Sequence, residues 1–330
     1  MNKLLSKLYF FMIGKWCFFI RNLYYTINSL KHTIFLKWTW YRDETSYDWS
    51  KSFIKYITET KNKDEFLEWF DEKSRKLWKA MLKKIENIMF KNILRTSDVL
   101  TKEDNKEQKE FSKKYFTYIK DKAFPSNEVG SFFNLHYVPK LLDIIPGIGE
   151  YLKNKDIIDA WAYIWDSSIA FSRTFKNIKN IYAFEPVTDN FDKMNMYIKS
   201  NNTENIIPVQ KWVGRKNEIV KIQSDWAMSK IGEDWNEQIE IVNIDNFVDE
   251  TKIIPWLIKW DIEWFEYDSI LWTKETIKKF KPILLISIYH NWKDFFEIKN
   301  LINSRELWYK FKLTRWNYFH PYADTLLICY

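Results

Sequence analysis

From residue 156 to the last residue, short apolar runs alternate with amphipathic stretches, a pattern that fits a parallel sheet covered by helices on both faces. The runs predict strands at Asp156–Ala160, Asn180–Glu185, Ile206–Lys211, Ile253–Lys259 and Pro282–Tyr289. Two further runs, Tyr309–Thr314 and Thr325–Tyr330, flank a turn through Asn317 and Pro321 and are expected to pair antiparallel. Glu218–Gln223 and Gln238–Asn243 read as an inserted hairpin or as edge strands. The expected fold class is therefore α/β, a mostly parallel sheet with an antiparallel C-terminal strand, preceded by a helical N-terminal region.

That preceding region reads differently. Residues 48–121 carry apolar positions such as Phe66, Phe70 and Leu77 at helical spacings, with Lys and Glu between them. The charged stretch 101–114 and the composition shift after it place a boundary between 101 and 130. The expected division is 1–128, helical and basic, and 129–330, the α/β domain. Residues 1–40 contain Lys3, Lys7, Lys15, Arg21, Lys31 and Lys37 and no acidic residue, so the net charge of +7 sits largely there. The uncharged stretches in this segment fall well short of the ~20 residues that span a bilayer. No small-residue cleavage site follows them. A basic aromatic helix of this kind predicts peripheral contact with the inner membrane face, docking on the rest of the chain, or a homo-oligomer contact. The remainder is nearly balanced in charge, so no nucleic-acid partner is expected. Cys17 and Cys329 are the only cysteines, too few and too far apart for a disulfide framework or a zinc motif, which predicts a cytoplasmic setting.

Glycine is scarce and tryptophan abundant: 6 Gly and 18 Trp, together 24 of 330 residues. The sum is about 7%, the usual share of glycine alone. The positions matter more than the sum. The first predicted strand runs into DAWAYIWDSS, where a cofactor loop needs one residue with positive φ and another that lets the backbone approach the ligand. Trp161 and Trp165 hold those two places, and an indole would fill the space a cofactor needs. Read with glycine, the string becomes a strand–turn–helix with Asp159 at the strand tip.

The other strand tips carry polar residues. The second ends at Glu185, where a carboxylate can accept from both ribose hydroxyls of an adenosyl cofactor; a dinucleotide site would use an acid at the same place. The fourth leads into DIEWFE, with Asp261 and Glu263, and the fifth into Tyr289 and His290. Carboxylates beside a histidine can deprotonate a hydroxyl, orient an acceptor, or hold a divalent metal. These uses stay open on the residues alone, and no metal is assigned.

In this order, DAWAYIWDSS, YAFEP, IIPVQKWVG, IDNFVDE, LIKWDIEWFE and KPILLISIYH resemble the FkbM-type methyltransferases. The resemblance covers about Asp156 to Tyr330. It implies a Rossmann-like class I methyltransferase sheet and S-adenosyl-L-methionine as cofactor. The implied cofactor contacts are Asp159, Trp161, Trp165, Asp166 and Glu185, and the DxEG signature falls on Asp261, Glu263 and Trp264, beside His290. The implied reaction is O-methylation of a sugar, glycan or secondary metabolite hydroxyl. The departure is uniform: Trp stands where the family has Gly, at 161, 165, 212 and 264, and by the same reading at Trp272, Trp292 and Trp308. A single cause fits such a pattern, namely UGA codons that mean glycine being read as tryptophan. Two other expectations remain beside the enzyme: a degenerate scaffold whose pocket real tryptophans block, and a nicotinamide-dependent oxidoreductase.

Overall fold

The computed structural model describes residues 51–56, 66–91, 106, 109–110, 134–163, 166–223, 230–231, 237–263, 265–315 and 324–330. Expectations for residues 1–50, for Trp165, Trp264 and the Asp166 side chain, and for the turn through Asn317 and Pro321 lie outside what is described. Among the described residues, no helix is long and apolar enough to cross a membrane.

In chain order the main elements are α1 (Glu72–Lys91), α2 (Asn134–Ile144), α3 (Ile148–Tyr151), β1 (Asp156–Ala160), α4 (Asp166–Thr174), β2 (Asn180–Phe184) and α5 (Thr188–Ser200). There follow β3 (Ile206–Val209), β4 (Trp212–Val213), β5 (Glu218–Gln223), β6 (Lys230–Ile231), β7 (Glu237–Val242) and α6 (Ile244–Thr251). The chain ends in β8 (Pro255–Trp260), α7 (Glu266–Trp272), α8 (Lys274–Phe280), β9 (Ile283–Ser287), α9 (Trp292–Asn303), β10 (Phe311–Arg315) and β11 (Thr325–Cys329).

Seven strands form the main sheet in the order β10-β11-β9-β8-β1-β2-β3. β11 runs antiparallel to both its neighbours, and the β1–β2, β2–β3, β1–β8 and β8–β9 pairs are parallel. This is the mostly parallel, Rossmann-like sheet with an antiparallel C-terminal strand that the sequence led us to expect, and its strand order reverses between β1 and β8. The hairpin expected between β3 and β8 exists as a separate four-stranded sheet, β4-β7-β5-β6, in which β5 and β7 pair antiparallel. Gly214 follows β4 where the backbone presses on β7. A Cβ there would lie 2.6 Å from Ile241 Cγ2, so this glycine is required by space.

Why the strands hold is visible in their alternation. Ile157, Leu257, Leu285 and Ile328 point into one core; Ile158, Ile258, Leu284, Ile286 and Leu327 point into the other. A strand buried on both faces favours an apolar run, and DIIDA is buried along its whole length although it carries Asp156 and Asp159. Asp156, at the start of β1, accepts from Lys179 Nζ at 3.1 Å and Asn180 Nδ2 at 3.0 Å, whereas Asp159 lies at the strand's other end, at the candidate site.

Residues ahead of the sheet join its second core. Phe53, Phe66 and Trp78 pack on Phe295 and Phe296 of α9, with ring centroids 5.1 to 5.7 Å apart. Lys299, itself buried, donates to the Phe66 carbonyl at 2.9 Å. β10 is an edge strand, and an open edge is a template for unwanted pairing. Here Phe70 bridges Phe311, and the Leu313 amide donates to Ser74 Oγ at 2.9 Å, so the segment around α1 covers that edge.

Candidate functional site

The carboxyl ends of β1, β2, β8 and β9 open on the same side of the sheet, across the point where strand order reverses; ligands of open α/β sheets bind at such a crevice. Backbone bonds set the tips: the Ala162 amide donates to the Phe184 carbonyl at 2.8 Å, and the Glu185 amide to the Val209 carbonyl at 3.1 Å.

Asp159 is fully buried, and its carboxylate is already engaged. Ser167 and Ser168, in the first turn of α4, donate to Oδ2 at 2.6 Å each, and Lys259 Nζ donates to Oδ1 at 3.0 Å. Lys259 also donates to the Trp161 carbonyl at 2.9 Å. Asp159 and Lys259 thus clamp the loop between β1 and α4 from inside. Sequence reasoning missed Lys259, although a lysine inside the apolar run PWLIKW is a signal: such a group stays buried only with a partner.

Trp161 has φ 71°, in the left-handed region where a bulky side chain is strained by roughly 1–2 kcal/mol. Its indole is buried and meets that of Trp212 edge-on, with centroids 5.0 Å apart. Trp308 also has positive φ, 56°, with its side chain 83% exposed. Trp69, which sequence reasoning passed over, has φ 69° and is 61% exposed. Among the described residues, three tryptophans therefore sit in backbone conformations suited to glycine. Trp212, Trp272 and Trp292 lie in a strand, at the end of α7 and at the start of α9, so no left-handed backbone calls for glycine there. Trp78 and Trp260 are of another kind: both are core residues, and Trp260 Nε1 donates to Ser269 Oγ at 2.9 Å.

Glu185 is completely buried just beyond β2. Its Oε1 accepts from the Val187 amide at 3.0 Å and from Asn190 Nδ2 at 3.3 Å, while Oε2 has no hydrogen-bond partner among the described residues. Burial pushes the carboxyl up to about 7, against the pull of those donors. The folded state therefore holds the proton more tightly than the unfolded chain, whose carboxyl titrates near 4.5. Stability from this group is present below pH 4.5 and lost as pH rises through about 7, a change of roughly 3 kcal/mol. Urea unfolding should show this fall between pH 5 and 8, and Glu185→Gln should flatten it. An equal slope in the variant would assign the loss to another group.

The third set of residues gathers at the β8 and β9 tips. His290 is buried, and its Nδ1 lies 2.7 Å from Glu266 Oε1, which also accepts from the Ile262 amide at 2.8 Å. Its Nε2 lies 3.3 Å from Glu263 Oε2, out of hydrogen-bond alignment, and 3.7 Å from Asp261 Oδ1. Burial works against charging the ring, but Glu266 and Glu263 prevail and hold its pKa well above the ordinary histidine value. Asp294, at the start of α9, faces Glu266; burial first and that carboxylate second push it up to about 8. Below that pH it carries a proton, which lets two buried acids sit side by side. Asp261, Glu263 and His290 are thus brought together as the sequence suggested, and Glu266 and Asp294 join them. The missed signal was Glu266 itself, the last letter of DIEWFE, an acid opening a helix where the ladder leaves amides free.

No protein-family model matches the chain, and no curated protein matches it. Among solved structures it is similar to methyltransferase FkbM from Methylobacillus flagellatus KT, at 18% identity and TM-score 0.45, over 68% of this chain and 60% of that one. It is similar to an rRNA methylase from Streptococcus thermophilus at 13% identity and TM-score 0.39, over 63% of this chain and 98% of that one. It is also similar to Aeropyrum pernix fibrillarin, solved with S-adenosyl-L-methionine bound, at 7% identity and TM-score 0.40, over 60% of this chain and 76% of that one.

Proposed function

We propose that this chain is an S-adenosylmethionine-dependent methyltransferase that acts on a hydroxyl of a sugar, glycan or secondary metabolite. The observation that carries the reading is Glu185: a buried carboxylate at the β2 tip with one oxygen unpartnered, on a sheet whose last strand runs antiparallel. A buried acceptor without a donor calls for a ligand that brings one, and two ribose hydroxyls do so. A nicotinamide-dependent oxidoreductase would also use this acid, but the antiparallel β11 has no counterpart in that reading.

The bound cofactor would supply an electrophilic methyl group. Glu185 would hold the ribose, and the loop clamped by Asp159 and Lys259 would carry the backbone past the cofactor, with Asp166 at the head of α4. That loop fits a ligand only with a small residue at 161, because the indole there is buried beside Trp212. We therefore infer that glycine is the working residue at 161, 165 and 264, and that the gene carries UGA at those codons. UGG there would exclude the inference. The indole pair is also the observation that favours the second reading, a scaffold without activity, for the chain as written.

His290 keeps its proton, so it is a poor base; its charge holds Asp261 and Glu263 in place. Asp261 Oδ1, buried and without a hydrogen-bond partner, is then the group placed to take the acceptor's proton. Alignment and proton removal are the contributions the protein makes to a direct displacement. Transfer of a labelled methyl group from the donor to cell-surface glycan precursors, by the glycine-bearing chain, tests the reading. Asp261→Asn should lower kcat by 100-fold or more, the order expected for loss of a general base. Full turnover by a folded Asp261→Asn chain would remove that residue from catalysis.

A further inference from the structure

We propose that Asp261 and His290, with Glu263, form a binding site for a divalent cation of the Mn2+ or Mg2+ class. Asp261, Glu266 and His290 each bring a carboxylate oxygen or ring nitrogen within 4.8 Å of the others, and Glu263 joins them through the imidazole alone, with Oε2 3.3 Å from Nε2. An acidic cluster alone would not establish a site. The independent observation is that His290 Nε2 and Asp261 Oδ1 are both buried and both without a hydrogen-bond partner among the described residues, although they face each other at 3.7 Å. A buried polar atom left without a partner marks a missing water or ion.

The geometry suits a cation, which takes the place of the proton that His290 otherwise keeps on Nε2 and releases it to solvent. Nε2 is 3.3 Å from Glu263 Oε2 and 3.7 Å from Asp261 Oδ1, close to the ~3 Å between neighbouring ligands of an octahedral ion with ~2.1 Å bonds. The other ring nitrogen is held at 2.7 Å by Glu266 Oε1, which is fixed in turn by the Ile262 amide at 2.8 Å. A metal-binding histidine commonly gives its second nitrogen to a carboxylate, which sets the ring's orientation. Glu266 is thus a positioning residue outside the ligand set. Three carboxylates around one imidazole leave the cluster electronegative, and oxygen-rich sites of this kind take hard or borderline divalent ions.

The proposal rests on the methyltransferase reading only for its use, in which the cation orients the acceptor hydroxyl and Asp261, bound through one oxygen, takes the proton on its other. Binding is therefore tested apart from turnover. The full chain is titrated with Mn2+ in the absence of cofactor and acceptor, and the free-ion paramagnetic resonance signal is followed. One Mn2+ per chain is expected. Affinity should fall at least tenfold in Asp261→Asn and in His290→Gln, and by about tenfold or more in Glu266→Gln. If either ligand variant fails to fold, Glu263→Gln, at the more exposed position, carries the same tenfold expectation. A folded chain that takes up no Mn2+, or whose affinity is unchanged in these variants, overturns the site. A glycine-bearing chain that binds S-adenosylmethionine but no Mn2+ overturns the site and leaves the enzyme reading standing. One that binds Mn2+ but no cofactor supports the site and sinks that reading.

Discussion

Replacing Trp161, Trp165 and Trp264 together by glycine should raise affinity for S-adenosylmethionine at least 100-fold, or about 2.8 kcal/mol. The direction follows from backbone and space at 161. With φ at 71° the residue sits where only glycine is free of strain, and the indole is buried against Trp212 at the mouth of the β1 loop. Glycine removes both obstacles, since it accepts the left-handed conformation and leaves no side chain between the loop and a ligand. The exchange also removes buried aromatic surface, and truncating a buried tryptophan ordinarily costs about 3–5 kcal/mol. The free protein should therefore be less stable or unchanged, while the cofactor complex gains. Calorimetric titration of both chains with the donor checks this, with circular dichroism as the control for folding. Trp161→Gly alone should recover part of the gain. Tight binding by the chain as written, or no gain in either variant, would show that the indole does not occupy the cofactor's space.

Much of the fold was legible because a doubly covered sheet imposes a strong local pattern. Asp156–Ala160 and Glu218–Gln223 were placed to the residue, and the other main strands end within two residues or so of where the apolar runs suggested. The strand tips were legible for the same reason: Glu185 and Asp261 follow their strands directly and His290 comes three residues after β9, so all three lie at the carboxyl ends of the sheet. What escaped depends on partners distant in sequence. Nothing local says that Phe53, Phe66 and Trp78 meet Phe295 and Phe296, because helical spacing reports an apolar face and not what covers it. Trp69 escaped because a left-handed backbone leaves no mark in the sequence where a tryptophan, and not a glycine, adopts it. Asp159 was read as a bare strand-tip acid; its serines are near in sequence, but Lys259 is 100 residues away.

That lysine gives the second large expectation: Lys259→Met should lower the unfolding free energy by about 3–5 kcal/mol. Methionine fills similar volume, so the loss is electrostatic. It strands the Asp159 carboxylate in a fully buried place with only the two serine hydroxyls to stabilise it. For a domain whose total stability is of order 5–15 kcal/mol, this is a large share. Urea denaturation at constant pH measures it. Adding Asp159→Asn to Lys259→Met should recover part of the loss, because the buried charge is gone while an amide oxygen still accepts from a serine. A cost under about 1 kcal/mol would mean that the pair behaves as if exposed to water, and absence of recovery would mean that the carboxylate was not the stranded group. The same substitution reaches function through geometry. Lys259 donates to the Trp161 carbonyl at 2.9 Å, so its loss frees the loop that must lie against the cofactor. In the glycine-bearing chain, where residue 161 has no side chain to anchor it, that hydrogen bond and the Asp159 clamp are what hold the loop in shape. Cofactor affinity should therefore fall in Lys259→Met even under conditions where the variant remains folded, which separates the loop's role from the stability of the sheet beneath it.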